Sequence, residues 1–199
     1  PTHSNTSWDM AKFEVCMHKW VDVSEDGYGV ALLNDCKYGC SVQNGVIGLS
    51  MLKCATYPNP DADKETHEFT YSILPHKGDF REGNVVAQAA ELNNPAVAVR
   101  KKGTVSNLPA EASLASVDQP NVVIEAIKKA EDDDSMIVRL YECFNRRSHT
   151  TLTLGAKIRQ AFLCNMMEEK ETAATFKDSQ ITFSIKPYEI LTFKIYFDN

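Results

Sequence analysis

The chain has 199 residues, of which 43% are hydrophobic and 24% charged, and its formal net charge at pH 7 is −6. This length is sufficient to bury a core in one large or two small domains. The acidic balance argues against a nucleic-acid partner, which clustered Lys and Arg would bind. No apolar run approaches the roughly 20 residues of a membrane-spanning helix, and the first residues do not resemble a signal peptide.

Six cysteines are too few for a disulfide scaffold in a chain of this length, and none lies in a CxxC pair. We therefore expect reduced thiols and a cytoplasmic protein. Cys36 and Cys40 are the one close pair, and without a second His or Cys pair they are a weak metal signal. The acidic run 132–134 lacks the spaced Gly and distal Glu of a calcium loop. We expect no metal and no cofactor in this chain.

Short segments rich in β-branched and aromatic residues, each bounded by turn residues, predict antiparallel strands in the first half of the chain. They are 11–16, 28–33, 38–42, 46–52 and 67–74. Asn44-Gly45 favours the positive φ angles of a type I′ turn, which predicts a hairpin over 38–52. The one predicted helix covers 85–92, with Asn84 as its N-cap and Asn93-Asn94-Pro95 as its end.

The stretch 101–120 is small and polar, which predicts a surface connection and a domain boundary near residue 110. Further strands are predicted over 122–129 and 136–143, which flank an acidic hairpin loop, and over 151–154, 158–165, 181–185 and 190–197. In 181–185 and 191–195 apolar residues alternate with polar ones, so each strand is expected to bury one face and expose the other. The pattern indicates an all-β protein with an antiparallel β-sandwich.

No nucleophile elbow, P-loop, dinucleotide fingerprint or HExxH motif is present. The five histidines are scattered over separate segments, and we predict no catalytic residue. The aromatic residues of the first half either stack on sugar rings or pack in the core. They are Trp8, Trp20, Tyr28, Tyr38 and Tyr71.

Particular residues say more than periodicity. A continuous block in the first 39 residues resembles family 38 α-mannosidases, most of all the cytosolic and bacterial branch related to the neutral enzyme. The block consists of Asn5-Thr6-Ser7-Trp8-Asp9, Phe13-Glu14-Val15, His18-Lys19-Trp20-Val21-Asp22, Ser24-Glu25 and 28–39. The resemblance continues through 67–71 and thins after residue 95 to 125–131, 139–142 and 186–190.

This resemblance implies a galactose-mutarotase-like supersandwich, of which 1–110 would be the C-terminal part, and a smaller terminal β-sandwich in 111–199. It implies a larger protein, because the chain begins inside a motif. The missing catalytic barrel and helical domain would be its partners and would hold zinc or a similar cation and the nucleophilic Asp. The whole enzyme would hydrolyse terminal α-mannosides of mannose-containing oligosaccharides with retention. The resemblance leaves a homo-oligomer open.

The turn 34–39 is the candidate for the rim of a substrate site. Asp35, Lys37 and Tyr38 offer hydrogen bonds to sugar hydroxyls from a loop. The alternative is structural, with Asp35 capping the turn and Tyr38 opening the next strand. Further rim candidates are His18, Trp20 and Arg139.

Two other functions stay open, a stand-alone carbohydrate-binding β-sandwich module and a structural interaction domain of the adhesion type. If the chain instead supports a barrel, it is expected to expose an apolar surface in its N-terminal third. The residues predicted to form that surface are Phe13, Val15, Trp20 and Val30.

Overall fold

The structure, a computed structural model, describes residues 6–10, 13–100, 103 and 109–198. Within it the chain divides into two compact units, 1–101 and 102–199. Much of the predicted connection lies outside the described residues, and the domain boundary near residue 110 stays a prediction. In the described part of the chain, no helix is long and apolar enough to cross a membrane.

The described part of the first unit contains two three-stranded antiparallel sheets and two helices. The sheets have the strand orders β1-β4-β5 and β2-β3-β6. The elements are α1 Ser7–Met10, β1 Val15–Cys16, β2 Trp20–Glu25, β3 Tyr28–Asn34, β4 Gly39–Gln43, β5 Val46–Ser50, β6 Tyr71–Lys77 and α2 Val85–Asn93. Strand β2 and helix α1 were not predicted from the sequence.

The predicted hairpin over 38–52 is confirmed. Gln43 pairs with Val46 across the turn, and Asn44 and Gly45 take φ angles of 51° and 75°. Both angles are positive, as a type I′ turn requires. The two strands therefore leave the turn in register.

Helix α2 packs on one face of sheet β2-β3-β6. Ala31 and Leu33 of β3 contact Val85 and Ala89 of α2 in a small buried cluster. The predicted helix is confirmed, and Asn84 occupies its N-cap position as predicted. Asn84 has φ 52° and its side chain makes no capping hydrogen bond, because a cap needs extended backbone to aim its oxygen at the first turn.

The second unit is a β-sandwich of two antiparallel sheets, and this confirms the predicted fold class. The strand orders are β13-β14-β10-β7 and β12-β11-β15-β9-β8. A single apolar cluster, which includes Leu140, Leu152 and Ile181, fills the space between the sheets. The strands are β7 Ala115–Val117, β8 Val122–Lys129, β9 Met136–Glu142, β10 Ser148–Leu154, β11 Ile158–Cys164, β12 Lys170–Ala173, β13 Phe176–Lys177, β14 Gln180–Ile185 and β15 Ile190–Phe197.

Strands β14 and β15 test the predicted alternation of buried and exposed faces. In β14 the prediction is confirmed, since Ile181 and Ile185 are buried. In β15 it is wrong, because Thr192 and Lys194 are only 2% and 4% exposed. Strand β15 lies between β11 and β9, and Lys194 Nζ lies 3.5 Å from Asp133 Oδ2. A buried ammonium needs such a partner to be tolerated.

Candidate functional site

Asn34 holds the turn between β3 and β4 from inside. Its side chain is fully buried, and its Oδ1 accepts the backbone N–H of Lys37 at 2.9 Å. Its backbone carbonyl accepts a hydrogen bond of 3.0 Å from Asn93 Nδ2 in α2. The turn is therefore held by one hydrogen bond within itself and by another to α2. The backbone that carries its outward-facing side chains is fixed by these two bonds.

Asp35 ties the turn to the segment that precedes β6. Both of its carboxylate oxygens accept the backbone N–H of Thr70, at 3.0 and 2.9 Å. Its own N–H donates to the Thr70 carbonyl at 3.2 Å. The hydrogen bond from the Thr70 backbone holds the pKa of Asp35 below its usual value. The Asp35 carboxylate thus links the turn to the segment around Thr70.

Lys37, Tyr38 and His18 lie on the outside of this turn. Lys37 Nζ is 5.2 Å from the centre of the Phe69 ring, a cation–π distance. The His18 ring meets the Tyr38 ring edge to face at 4.8 Å. The Tyr38 hydroxyl donates to the Asp35 carbonyl at 3.4 Å, and Tyr38 is 40% exposed. The structure therefore brings four of the six rim candidates together.

The other two rim candidates, Trp20 and Arg139, make contacts within their own units. Trp20 stacks on Phe80 with ring centres 5.2 Å apart and packs against the cluster beneath α2, so its role is in the core. Arg139 belongs to the second unit, where its Nε donates to Thr192 Oγ1 at 3.0 Å and its Nη2 to the Met166 carbonyl at 3.3 Å. Both side chains are used by local structure.

Sequence reasoning missed three neighbours of the turn. Phe69 and Thr70 come from a segment about thirty-five positions later in the chain. Cys16 Sγ lies 3.6 Å from His18 Nε2. The periodicity of the sequence carries no signal for the long-range contacts of Phe69 and Thr70. The one sequence signal for Phe69 and Thr70 is the block 67–71, which resembles the family but carries no predicted site residue.

Within 6–10, 13–100, 103 and 109–198, no three His, Cys, Asp or Glu side chains lie together so that they could hold a metal ion. The acidic loop is used locally. Asp133 accepts from Tyr196 at 2.7 Å, and Asp134 pairs with Lys129 at 2.6 Å. No metal-dependent step is assigned to this chain.

The turn offers an ammonium, a phenol, an imidazole and aromatic edges on one exposed surface. These groups can hydrogen-bond to hydroxyls and pack against the apolar face of a sugar ring. That the turn reaches a substrate stays a prediction.

Two sequence profiles match the chain. They are the glycosyl hydrolases family 38 C-terminal domain, over residues 1–61, and the glycosyl hydrolases family 38 C-terminal beta sandwich domain, over residues 121–193.

Curated proteins match nearly the whole chain. Alpha-mannosidase 2C1 of Homo sapiens is 41% identical over 198 residues, which cover 96% of this chain and 19% of that protein. Alpha-mannosidase G of Dictyostelium discoideum is 39% identical, with 98% and 18% covered. An alpha-mannosidase of Saccharomyces cerevisiae is 36% identical, with 99% and 20% covered. The chain spans about a fifth of the length of these relatives.

A solved structure shares the fold. The crystal structure of an alpha-mannosidase from Enterococcus faecalis has a TM-score of 0.69, 19% sequence identity, and coverage of 92% of this chain and 21% of that one. From the sequence profiles, the curated relatives and this fold, the chain belongs to glycosyl hydrolase family 38 and corresponds to the C-terminal, non-catalytic β-sandwich region of its α-mannosidases.

Proposed function

We propose that this chain is the supporting C-terminal region of a longer α-mannosidase that hydrolyses terminal α-mannosides with retention. The observation that carries the proposal is the 41% identity to an alpha-mannosidase over 96% of the chain. In this proposal the chain carries no catalytic residue. Its role is to stabilise the fold of the enzyme and to support the catalytic domain.

The other parts of the longer polypeptide complete the proposal. A catalytic barrel and a helical domain would be the partners of this chain, and zinc or a similar divalent cation would bind in the barrel. Mannose-containing oligosaccharides would be the substrates. The six free thiols suit the reducing conditions of the cytoplasm, which we propose as the compartment.

We further propose that the turn 34–39 lends side chains to the rim of the active site. The turn is anchored by Asn34 and by the bond from Thr70 to Asp35, so Lys37 and Tyr38 are held in place before substrate arrives. Pre-organised donors lose little entropy on binding. The role is to position substrate hydroxyls and not to transfer protons.

The experiment compares the 199-residue chain with the longer enzyme on an aryl α-mannoside, with and without added zinc. We expect hydrolysis by the longer enzyme and none by the chain. Metal-dependent turnover by a pure sample of the chain would overturn the proposal.

The rim role is tested with variants of the longer enzyme. Lys37→Ala is expected to raise KM for a mannose oligosaccharide by about fivefold, as the loss of one hydrogen bond of roughly 1 kcal/mol would. Lys53→Ala, at an exposed lysine, is the matched control and should leave KM unchanged. Equal behaviour of the two variants would remove the turn from the rim.

The alternative function is a carbohydrate-binding module, which the exposed Tyr38 and His18 rings would favour. Titrating the isolated chain with mannose and short mannosides separates the two functions. Binding tighter than about 1 mM, equivalent to roughly 4 kcal/mol, would support the module. We expect weaker binding, because a rim supplies only part of a site.

A further inference from the structure

Strand β14 of the second unit has a free edge over its second half. Strand β10 pairs with β14 at every position of 180–185, while β13 pairs with it at only two positions, the last of which joins Phe176 to Ile181. Just before β13 the chain belongs to the opposite sheet, where the Ala174 N–H donates to the Ala161 carbonyl at 2.9 Å. Beyond Ile181, no strand of the described chain therefore pairs with β14 on the β13 side.

The ladder of backbone hydrogen bonds identifies the groups that this free edge presents. Lys177 and Gln180 close the two-residue turn between β13 and β14, so the backbone groups of Gln180 face β13. Successive residues of an antiparallel strand direct these groups to opposite sides. The N–H and C=O groups of Thr182 and Ser184 therefore point to the free side, and both residues are exposed. Unpaired groups at a sheet edge are a template for a further strand.

An open cavity of about 310 Å³ lies beside the free edge. Both sheets contribute apolar side chains to its lining, among them Leu163, Phe183 and Leu191, which are only partly buried against the core. The segment 172–175 also lines the cavity. This volume lies at the lower end of the range for ligand pockets, so the cavity fits an apolar side chain and not a whole structural element.

Two cations border the same cavity. Arg147 immediately precedes β10, Lys186 immediately follows β14, and both line the cavity. Lys186 Nζ lies 3.8 Å from Glu189 Oε1, and Glu189 Oε2 accepts the Lys186 N–H at 2.7 Å. The exposed Arg147 guanidinium has no partner among the described residues. Two cations and one carboxylate leave this border positive, and a planar guanidinium binds a carboxylate through two parallel hydrogen bonds.

We propose that the free edge and its cavity bind the C-terminal end of an extended peptide. The peptide backbone pairs with Thr182 and Ser184, an apolar side chain fills the cavity, and the terminal carboxylate binds Arg147. In recognition by strand addition, the backbone bonds supply affinity and the side-chain pocket supplies specificity. Because Lys186 lies at the end of β14, a peptide with its carboxylate there runs parallel to that strand. This site goes beyond the proposed function and does not depend on it.

NMR titration of the 199-residue chain with N-acetyl-Thr-Val-Leu tests the site. We expect saturable shifts of the backbone amide signals, largest for Thr182 and Ser184, with a Kd below about 1 mM. Hydrogen exchange of these two amides should slow about tenfold at saturation, because their N–H groups gain partners. The Phe183 N–H already faces β10, so its exchange should stay unchanged and serves as the internal control.

Matched variants separate the carboxylate contact from the backbone contact. Arg147→Gln should raise the Kd about tenfold, as the loss of a charge-assisted hydrogen bond does, and so should replacing the peptide carboxylate by an amide. Arg159→Gln, at another exposed arginine of the second unit, is the control and should leave the Kd unchanged. N-methylation of the peptide nitrogens removes the donors for the free edge and should abolish the slowed exchange of Thr182 and Ser184.

The absence of saturable shifts up to about 10 mM peptide would overturn the proposal, and so would a Kd that Arg147→Gln leaves unchanged. Equally tight binding of the N-methylated peptide would also overturn it and would assign the cavity to free apolar acids. Hydrolysis of α-mannosides is not a readout of these measurements, so a failure of the proposed function leaves their result standing.

Discussion

His76 Nε2 lies 2.7 Å from Asp22 Oδ1, and both side chains are only 4% exposed. The pair joins β6 to β2 across β3, on the face of the sheet that packs against α2. His76 Nδ1 lies 3.3 Å from the Lys77 carbonyl. Since both neighbours of the ring are hydrogen-bond acceptors, the arrangement favours a proton on each nitrogen and hence a buried ion pair.

The pKa of His76 follows from opposing effects. Burial lowers it, while the hydrogen bonds to Asp22 and to the Lys77 carbonyl, together with the negative charges of Asp22 and Asp79, raise it. The net effect places the pKa of His76 above its usual value of 6.5. A raised pKa in the folded state means that protonated His76 stabilises the fold.

The first prediction concerns the pH dependence of stability. The contribution of the pair is fully present below pH 6.5 and is lost as the pH rises through the folded-state pKa of His76. Asp22→Asn should lower the free energy of unfolding at pH 6 by about 3 kcal/mol, as breaking a buried pair does, and should remove this pH-dependent loss. Urea unfolding from pH 5 to 9 measures both effects. Asp26→Asn, at an exposed turn position, should change neither.

The second prediction concerns the space around the His76 ring. A Cβ on Gly29 would lie 2.3 Å from His76 Cε1, and one on Gly83 would lie 2.4 Å from His76 Cγ. We expect Gly29→Ala to cost about 1–3 kcal/mol by overpacking. Removing the ring with His76→Ala should reduce the cost of Gly29→Ala in a double-mutant cycle and leave the part due to Ser24 Cβ, which lies 2.9 Å from the added Cβ.

Gly27 provides the contrast. It has φ +82° and nothing lies within 4 Å of its added Cβ, so Gly27→Ala costs only backbone strain of about 1–2 kcal/mol. His76→Ala should not relieve that cost. Additive effects of Gly29→Ala and His76→Ala would contradict the packing argument.

Local signals in the sequence predicted much of the fold. Asn44-Gly45 set the hairpin because the turn needs positive φ at both positions, and the β14 alternation correctly identified its buried residues. The same rule failed for β15, because burial of Lys194 depends on Asp133, a residue on another strand connection. The alternation of apolar and polar residues is a property of a single strand, so it does not predict a charged partner elsewhere in the chain.

The candidate site shows the same limit. The sequence correctly grouped Asp35, Lys37 and Tyr38, since they are neighbours in the chain. It could not predict that Thr70 binds Asp35 or that Trp20 lies on the face of the sheet that packs against α2. The side of the sheet that a residue faces depends on strand register, and β2 was not recognised as a strand.

The third prediction concerns Glu142, which is buried in the second unit. Its Oε1 accepts from Asn121 Nδ2 and from the Phe144 N–H, both at 2.8 Å, and its Oε2 accepts from the Tyr188 N–H at 2.9 Å. Burial raises the pKa of Glu142, but the bonds from Asn121, Tyr188 and Phe144 outweigh it and lower the pKa below 4.5.

Glu142→Gln places an NH₂ group against one of these donors, so we expect a loss of about 1–3 kcal/mol at pH 7. A lowered folded-state pKa means that the contribution is present above pH 4.5 and is lost as the pH falls through the folded-state pKa. The variant should therefore show a flatter profile below pH 4.5 in urea unfolding of the second unit. Glu111→Gln, at an exposed position, should stay within about 0.5 kcal/mol of the unmodified chain.

The fourth prediction concerns the order in which the thiols react. Cys36 and Cys54 are both exposed, but the hydrogen bond to Asp35 raises the pKa of Cys36, and the thiolate is the reactive form. Alkylation with iodoacetamide near neutral pH, followed by peptide mass spectrometry, should modify Cys54 before Cys36. Asp35→Asn, which keeps an acceptor for Thr70, should increase the alkylation rate of Cys36 and leave Cys54 as an internal reference.

Burial raises the pKa of Cys143 to about 11, so Cys143 should react after both. All six thiols should react once the chain is unfolded. Equal native rates for Cys36 and Cys54, or fewer than six modified thiols in the unfolded chain, would contradict this order.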